Sequence, residues 1–83
     1  MILDPKTVTS REQFADFVSS LHKDLQDRPD EWENPTLESF LEALTAYATD
    51  VPGYLKNVRS SIDPEKPSWK LFALILQGAH AYE

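Results

Sequence analysis

The fold is decided by one stretch late in the chain, SWKLFALILQGAHAY at residues 68–82. Apolar side chains at helical spacing occupy one of its faces (Trp69, Phe72, Ala73, Leu76, Ala79), and other apolar residues cover most of the remaining surface (Leu71, Leu74, Ile75, Tyr82). A helix that is apolar almost all round is usually enclosed by its neighbours. We therefore predict a central helix over residues 68–82. Short apolar runs can also form strands, and a strand over residues 71–76 is the alternative.

Two amphipathic stretches precede this helix and are expected to pack against it. The first covers residues 10–25, where Thr9 and Glu12 have the spacing of a capping box. The second covers residues 34–49, with Asn34 as the expected N-cap and Pro35 at the first helical position. Both stretches repeat apolar residues at helical spacing, which predicts one buried stripe on each helix.

The whole chain, residues 1–83, is therefore predicted to be one all-α domain with three main helices. Pro52 and Gly53 should end the second helix, which leaves a turn or a possible short helix at residues 52–58. Ala48 and Leu37 belong to the predicted buried stripe of the second helix. We expect a common core made of seven large side chains: Phe17, Leu21, Leu41, Leu44, Trp69, Phe72 and Leu76.

Several kinds of chemistry have no support in the residues present. The chain has no cysteine, which excludes disulfides, thiolate catalysis and cysteine-based zinc sites, and its two glycines are too few for a phosphate-binding loop. The two histidines, His22 and His80, lie on different predicted helices, and although His80 and Glu83 have the i, i+3 spacing of metal ligands, two ligands do not make a zinc site. Glu38 and Glu42 are spaced like a catalytic carboxylate pair, but nothing indicates a pocket around them. We therefore predict no enzymatic activity, no metal and no cofactor.

The negative charge of the chain is concentrated in one segment. Residues 24–42 contain seven acidic residues and one base, Arg28, so this segment alone carries the net charge of −6 of the whole chain. Such a segment repels nucleic acid and anionic membranes and attracts a basic partner, although it also suits a solvated surface. With no membrane-spanning run, no cysteine and no signal-peptide core at the N-terminus, we expect a cytoplasmic protein.

Parts of the sequence resemble a family of small bacterial proteins that is described only as a domain of unknown function. The resemblance lies in WENPTL at residues 32–37, FLEAL at residues 40–44, SW at residues 68–69, and Ala79 followed by YE at residues 82–83. It spans nearly the whole chain. The resemblance implies a helical fold and brings no activity with it.

Residues 16–47 are also similar to the first two helices of barstar-type ribonuclease inhibitors. The similarity rests on LHKDL at residues 21–25, on the aromatic connection that follows, and on EALT at residues 42–45. These inhibitors place an acidic helix across the active site of a nuclease. The resemblance implies that the two acids of that helix fall on Glu38 and Glu42, and it concerns a surface rather than a fold.

Two functions remain open from the sequence. The chain is either a non-catalytic immunity or antitoxin-like protein that masks a basic partner, such as a toxin, through Glu31, Trp32, Glu38 and Glu42, or an accessory bacterial domain that self-associates. In the second case a homo-oligomer would pair the acidic segment with later basic residues (Lys56, Arg59, Lys66, Lys70). Trp32 itself has two interpretations, as a cover over the junction of the first two helices or as a contact residue.

Overall fold

A computed structural model of the chain describes residues 2–82 and contains three α-helices in that range. Helix α1 is Arg11–Asp27, α2 is Leu37–Asn57 and α3 is Trp69–Ala81, and single turns of 3₁₀ helix lie at Pro5–Thr7 and Pro29–Glu31. No β-strand occurs within residues 2–82. The all-α prediction is therefore confirmed, and the alternative of a strand over residues 71–76 is wrong.

Helix α3 occupies the centre of the molecule, as its all-round apolar surface predicted. It packs against α1, α2 and the N-terminal 3₁₀ turn, whereas α1 and α2 make few contacts with each other. Ala73 of α3 belongs to a cluster with Phe17 and Leu21 of α1, and Leu71 belongs to a second cluster with α2 residues such as Val51. The two clusters lie on different sides of α3. This helix therefore needs apolar residues on more than one face, because it is covered by a neighbour on each side.

The start of α1 lies one residue later than predicted. Ser10, not Thr9, is the N-cap, and its hydroxyl accepts a hydrogen bond from the backbone N of Gln13 at 3.1 Å. The side chain of Gln13 reaches back and accepts from both the backbone N and the hydroxyl of Thr9, each at 2.7 Å. The expected capping box of Thr9 and Glu12 is therefore replaced by hydrogen bonds that involve Gln13, the next residue along the chain. Its backbone N–H donates to Ser10, and its side chain accepts from Thr9.

The predicted role of Asn34 as the N-cap of the second helix is wrong. Thr36 caps α2 and forms a reciprocal capping box with Ser39. The amide Nδ2 of Asn34 instead donates to the backbone oxygens of Ala79, at 3.0 Å, and Tyr82, at 2.6 Å. The last carbonyls of a helix lack intrahelical donors, so a side chain that brings two N–H groups finds its partners there.

Helix α2 does not end before Pro52, and the separate short helix expected at residues 52–58 is its last part. Proline removes one backbone donor, which leaves the carbonyl of Ala48 without its usual helical partner. Both Pro52 and Ala48 are exposed. Water can therefore satisfy that carbonyl, and packing of the following turns against α3 keeps the helix continuous.

The C-terminal end of α2 is closed by a Schellman motif. The backbone N of Ser60 donates to the carbonyl of Leu55 at 2.9 Å, and that of Arg59 donates to Lys56 at 3.2 Å. Arg59 adopts the left-handed conformation that this motif requires, with a φ of 54°. This position usually carries glycine, because a Cβ is strained there.

The buried side of α2 differs from the predicted stripe. Four residues spaced four apart are buried (Ala43, Tyr47, Val51, Leu55), whereas the predicted stripe residues Leu37 and Leu41 are 74% and 50% exposed. Ala48 is exposed as well. Helices that pack through their i±4 ridges cross at an angle. The predicted stripe is uncovered at Leu37 and Leu41, whereas Phe40 in the same turns is half-buried against the cluster that contains Trp32.

The predicted core is accordingly confirmed only in part. Phe17 and Leu21 are buried, and Leu44, Trp69 and Leu76 are half-buried. Leu41 and Phe72 are exposed, so their assignment to the core is wrong. Leu41 lies in the second turn of α2 and Phe72 in the first turn of α3, on faces that no other helix covers.

Candidate functional site

The three acidic residues predicted to meet a partner all lie on the surface. Glu31 ends the second 3₁₀ turn, and Glu38 and Glu42 lie one helical turn apart near the start of α2. No ion pair joins any of the three to another residue in the range 2–82. We call these three residues the acidic face.

Other charges of the same segment are already paired. Asp24 is fully buried and its carboxylate accepts hydrogen bonds from Arg28, the only base between residues 24 and 42, with the closer nitrogen at 3.0 Å. Asp27 forms an exposed ion pair with Lys23 at 3.0 Å. The negative electrostatic field around residues 24–42 therefore comes mainly from the acids that follow residue 28.

Trp32 lies in the core and not on the acidic face. It is 8% exposed, and its indole N–H donates to Oδ2 of Asp24 at 2.9 Å. Its ring packs against Phe40 and, edge-on, against His80, with centroid distances of 6.1 and 4.9 Å. The interpretation of Trp32 as a cover over the junction of the helices agrees with this geometry, and it leaves little indole surface for a partner.

The bond from Trp32 also tunes the acid beneath it. Donation by the indole N–H is the largest influence on the pKa of Asp24 and lowers it; burial acts in the opposite direction, and Arg28 lowers the pKa further. The net result is a pKa below the ordinary value of an aspartate. Asp24 thus stays ionised and serves as an anchor that ties α1 to the loop before α2.

Glu42 lines a small cleft of about 230 Å³ together with Glu33, Ser39 and Tyr82. The hydroxyl of Ser39 is engaged in the capping box of α2, so it is not poised as a nucleophile. The hydroxyl of Tyr82 donates to Asp50, and this hydrogen bond raises the pKa of Tyr82. The chemistry that the cleft offers is the acceptance of cationic or hydrogen-bond-donating groups by two carboxylates.

The two histidines do not form a site in the described part of the chain. His80 packs its ring on Trp32, its Nδ1 is hydrogen-bonded to the carbonyl of Gln77, and its own carbonyl accepts from the backbone N of Glu33. His22 is exposed on α1. Within residues 2–82 no three histidine, aspartate or glutamate side chains have an arrangement that could hold a metal ion.

The sequence interpretation missed an apolar groove of about 330 Å³ between α1 and the start of α2. Val18 and Leu25 line it from α1, Leu37 and Phe40 from α2, and Leu76 from α3. The signal for it was present in the sequence. Helix α2 carries two apolar stripes side by side, which is more than one buried face requires.

No helix within residues 2–82 has both the length and the apolar character needed to cross a membrane. The described residues also contain no counterpart of the parallel sheet of barstar-type inhibitors. No curated protein and no solved structure matches the chain. One family model does match, over residues 10–83, a range that begins at the N-cap of α1 and includes all three helices. The chain therefore belongs to the Family of unknown function (DUF7660).

Proposed function

We propose that this chain is a non-catalytic domain that binds a basic protein partner through the acidic face. The observation that carries the proposal is that Glu31, Glu38 and Glu42 are exposed and have no ion-pair partner within residues 2–82, although the neighbouring acids Asp24 and Asp27 are paired. Glu33 and Glu42 line the same cleft, which brings the loop and α2 together in one negative region.

Unpaired carboxylates in one region act on a partner before contact. They attract a positively charged surface over a distance set by the ionic strength, and this raises the association rate more than the final affinity. Glu38 and Glu42 also repel each other at a spacing of four residues, at a cost to the helix of ~0.2–0.5 kcal/mol. A basic partner placed between them would remove that repulsion.

The partner class that we propose is a toxin whose active site binds phosphate groups. Such a site is electropositive, so an acidic helix imitates its substrate and blocks it, as an immunity or antitoxin-like protein does. We further propose that this happens in the bacterial cytoplasm, where a chain without cysteine is indifferent to reducing conditions.

The test begins by capturing a partner from the native cell and continues with titrations of purified proteins. The double variant Glu38→Gln/Glu42→Gln should bind at least about tenfold more weakly, ~1.4 kcal/mol. The matched control is Glu12→Gln/Asp16→Asn, which removes two exposed carboxylates of the same spacing from α1. This control should leave the affinity nearly unchanged.

The same titrations are repeated at about 0.1 M and about 1 M salt, where the Debye length falls from ~10 Å to ~3 Å. The wild-type protein should lose affinity at the higher salt concentration, and the Glu38→Gln/Glu42→Gln variant should lose much less. Equal affinities of wild type and variant, without dependence on salt, would contradict the proposal.

A further inference from the structure

The apolar groove between α1 and α2 is open because the two helices that form its walls pack on α3 rather than on each other. Leu76 and Trp32 also line it. Val18 and Leu37, from opposite walls, are 40% and 74% exposed. Exposed apolar side chains in such a groove favour the binding of an apolar segment of another molecule, because binding removes them from water.

The apolar surface extends beyond the groove along two of the three helices. Leu41, which is half exposed, lies one turn after Leu37 on α2, and Phe72, 41% exposed, lies one turn before Leu76 on α3. Phe72 in turn contacts the ring of Trp69, with a centroid distance of 6.1 Å. The groove between α1 and α2, continued by these exposed residues, suits one further helix. That helix would pack on both walls of the groove at the axis-to-axis distance of about 8–10 Å that is usual for packed helices.

The charges beside the groove define the chemistry of the guest. No acid lines the groove itself, but Glu38 directly follows Leu37 on the α2 wall and Glu33 directly precedes Asn34, which also lines the groove. The α1 wall contributes His22 and no acid, and Lys23, which follows His22, is ion-paired with Asp27. The complement to this rim is a helix with one apolar stripe and basic residues beside it. A second copy of the chain fits poorly, since it carries a net charge of −6 and would bring the same acidic residues to the contact.

We propose that the groove between α1 and α2 receives the apolar stripe of a basic amphipathic helix of the partner protein. This inference rests on the proposed function and deepens it, because the acidic face supplies the attraction and the groove supplies the apolar anchor. The result is a four-helix arrangement in which Leu37, Val18 and Phe40 contact the guest from two sides. Discrimination between basic partners then depends on the spacing of the apolar residues along their helices.

Synthetic peptides of about 18 residues, or five helical turns, serve as probes. The first has leucine at helical i, i+3, i+4, i+7 spacing and lysine at most other positions. The second has the same composition in an order that destroys the stripe, and the third keeps the stripe but replaces lysine with glutamate. Dissociation constants are measured by isothermal titration calorimetry, and amide chemical shifts locate the bound peptide on the full chain.

The basic amphipathic peptide should bind at least about tenfold more tightly than the peptide with the scrambled order. The variant Val18→Ala/Leu37→Ala should remove that advantage, and it should fold normally because both side chains are exposed. The matched control Leu3→Ala/Val58→Ala removes apolar atoms from two similarly exposed positions outside the groove. It should bind like the wild type.

Four outcomes would overturn the inference, and they separate it from the proposed function. If both lysine peptides bind equally and only Glu38→Gln/Glu42→Gln weakens them, the groove is not used and the proposed function stands. If the glutamate peptide binds as tightly as the lysine peptide, both proposals fail. If no peptide shifts the amides of the groove, the groove has no helical guest. If the wild type sediments as a dimer that Val18→Ala/Leu37→Ala dissociates, the occupant is a second copy.

Discussion

The two ends of helix α2 are built from similar residues and have opposite surroundings. From its middle to its C-terminus, Tyr47, Val51 and Leu55 lie against α3 and are at most 9% exposed. Near its start, Leu37 and Leu41 are at least half exposed, although leucine is as apolar as the residues that the other end buries. The comparison shows that contact with α3, and not side-chain type, decides which apolar residues of α2 become core.

The closed end and the open end have different consequences for stability and function. At the closed end the ring of Tyr47 lies against Gly78 and packs edge-on against Tyr82, with a centroid distance of 5.1 Å. At the open end the apolar surface contributes little to stability because water still reaches it. It is therefore available to a partner at no cost to the fold.

The largest expected effect comes from removing equivalent leucine atoms at the two ends. Leu55→Ala should reduce the free energy of unfolding by ~2–5 kcal/mol, since a buried side chain is replaced by a cavity. Leu37→Ala should change it by no more than about 0.5 kcal/mol, because that side chain is 74% exposed. Urea melts of both variants measure the difference. Similar losses at the two positions would mean that the first turns of α2 are packed after all.

The next largest effect on stability comes from a residue where α2 and α3 approach each other closely, Gly78 of α3 against Tyr47 of α2. A Cβ at position 78 would lie 2.6 Å from Cδ2 of Tyr47 and nearer still to two other ring atoms. Gly78→Ala should therefore destabilise the protein by ~1–3 kcal/mol, despite the better helix propensity of alanine. Gly53→Ala is the matched control, because a Cβ there meets nothing within 4 Å.

Gly53→Ala lies in the same helix as Tyr47 and should stabilise the protein by up to about 1 kcal/mol. Thermal melts of the two alanine variants give the comparison directly. Shifts of the melting temperature in the same direction would contradict the close approach of Tyr47 to position 78.

A smaller effect on the free energy of unfolding should appear at low pH. It concerns Asp24, which accepts a hydrogen bond from the indole N–H of Trp32. The pKa of this carboxyl is lowered in the folded state, so ionised Asp24 contributes stability that is fully present above its ordinary pKa, about 4. That contribution is lost as the pH falls through the lower folded pKa. Asp24→Asn should therefore be less stable than wild type at pH 7, and the difference should shrink below about pH 4.

Urea melts at a series of pH values test this expectation, with Asp27→Asn as the control. Asp27 is an exposed acid in the same last turns of α1, and it forms an ion pair with Lys23. Its removal should have little effect at any pH, because exposed ion pairs contribute little. If the curves of wild type and Asp24→Asn run parallel between pH 7 and pH 3, the bond from Trp32 does not tune this acid.

The smallest expected effect is at the C-terminal cap of the closed end. Arg59 has a φ of 54°, which costs any residue with a Cβ about 1 kcal/mol relative to glycine. Arg59→Gly should therefore be more stable than Arg59→Ala by about 1 kcal/mol. The comparison of these two variants cancels the loss of the charge, which is the same in both. Equal midpoints of thermal unfolding would show that the cap conformation is not strained.

The boundaries of the elements show where local sequence patterns reach their limit. Thr9, Asn34 and Pro52 all carried the correct kind of signal, yet each prediction made from them missed the observed boundary. Asn34 has a side chain that suits an N-cap, but its amide Nδ2 donates to carbonyls at the end of α3, more than 40 residues away in sequence. Partners distant in sequence cannot be identified from local spacing.

The candidate site was predicted unevenly for the same reason. Glu38 and Glu42 lie off every apolar stripe of α2, so their exposure followed from helical periodicity alone. Asp24 was counted in the acidic segment of residues 24–42 and is fully buried. The reason is its bond to Trp32, a contact between a helix and a loop that obeys no periodic rule. The groove beside them was missed because its walls belong to two helices whose relative angle the sequence does not reveal.

By itself, the sequence determined that this protein is helical, that its last helix is central, and that its charge lies in one acidic segment. These properties depend on periodicity and composition, which are local and additive. The tertiary structure alone decided which stripe of α2 is buried, which acid leaves the surface, and where an apolar groove stays open. Those outcomes depend on the angles at which three helices cross, and the angles are set by packing between residues far apart in sequence, such as Tyr47 and Gly78.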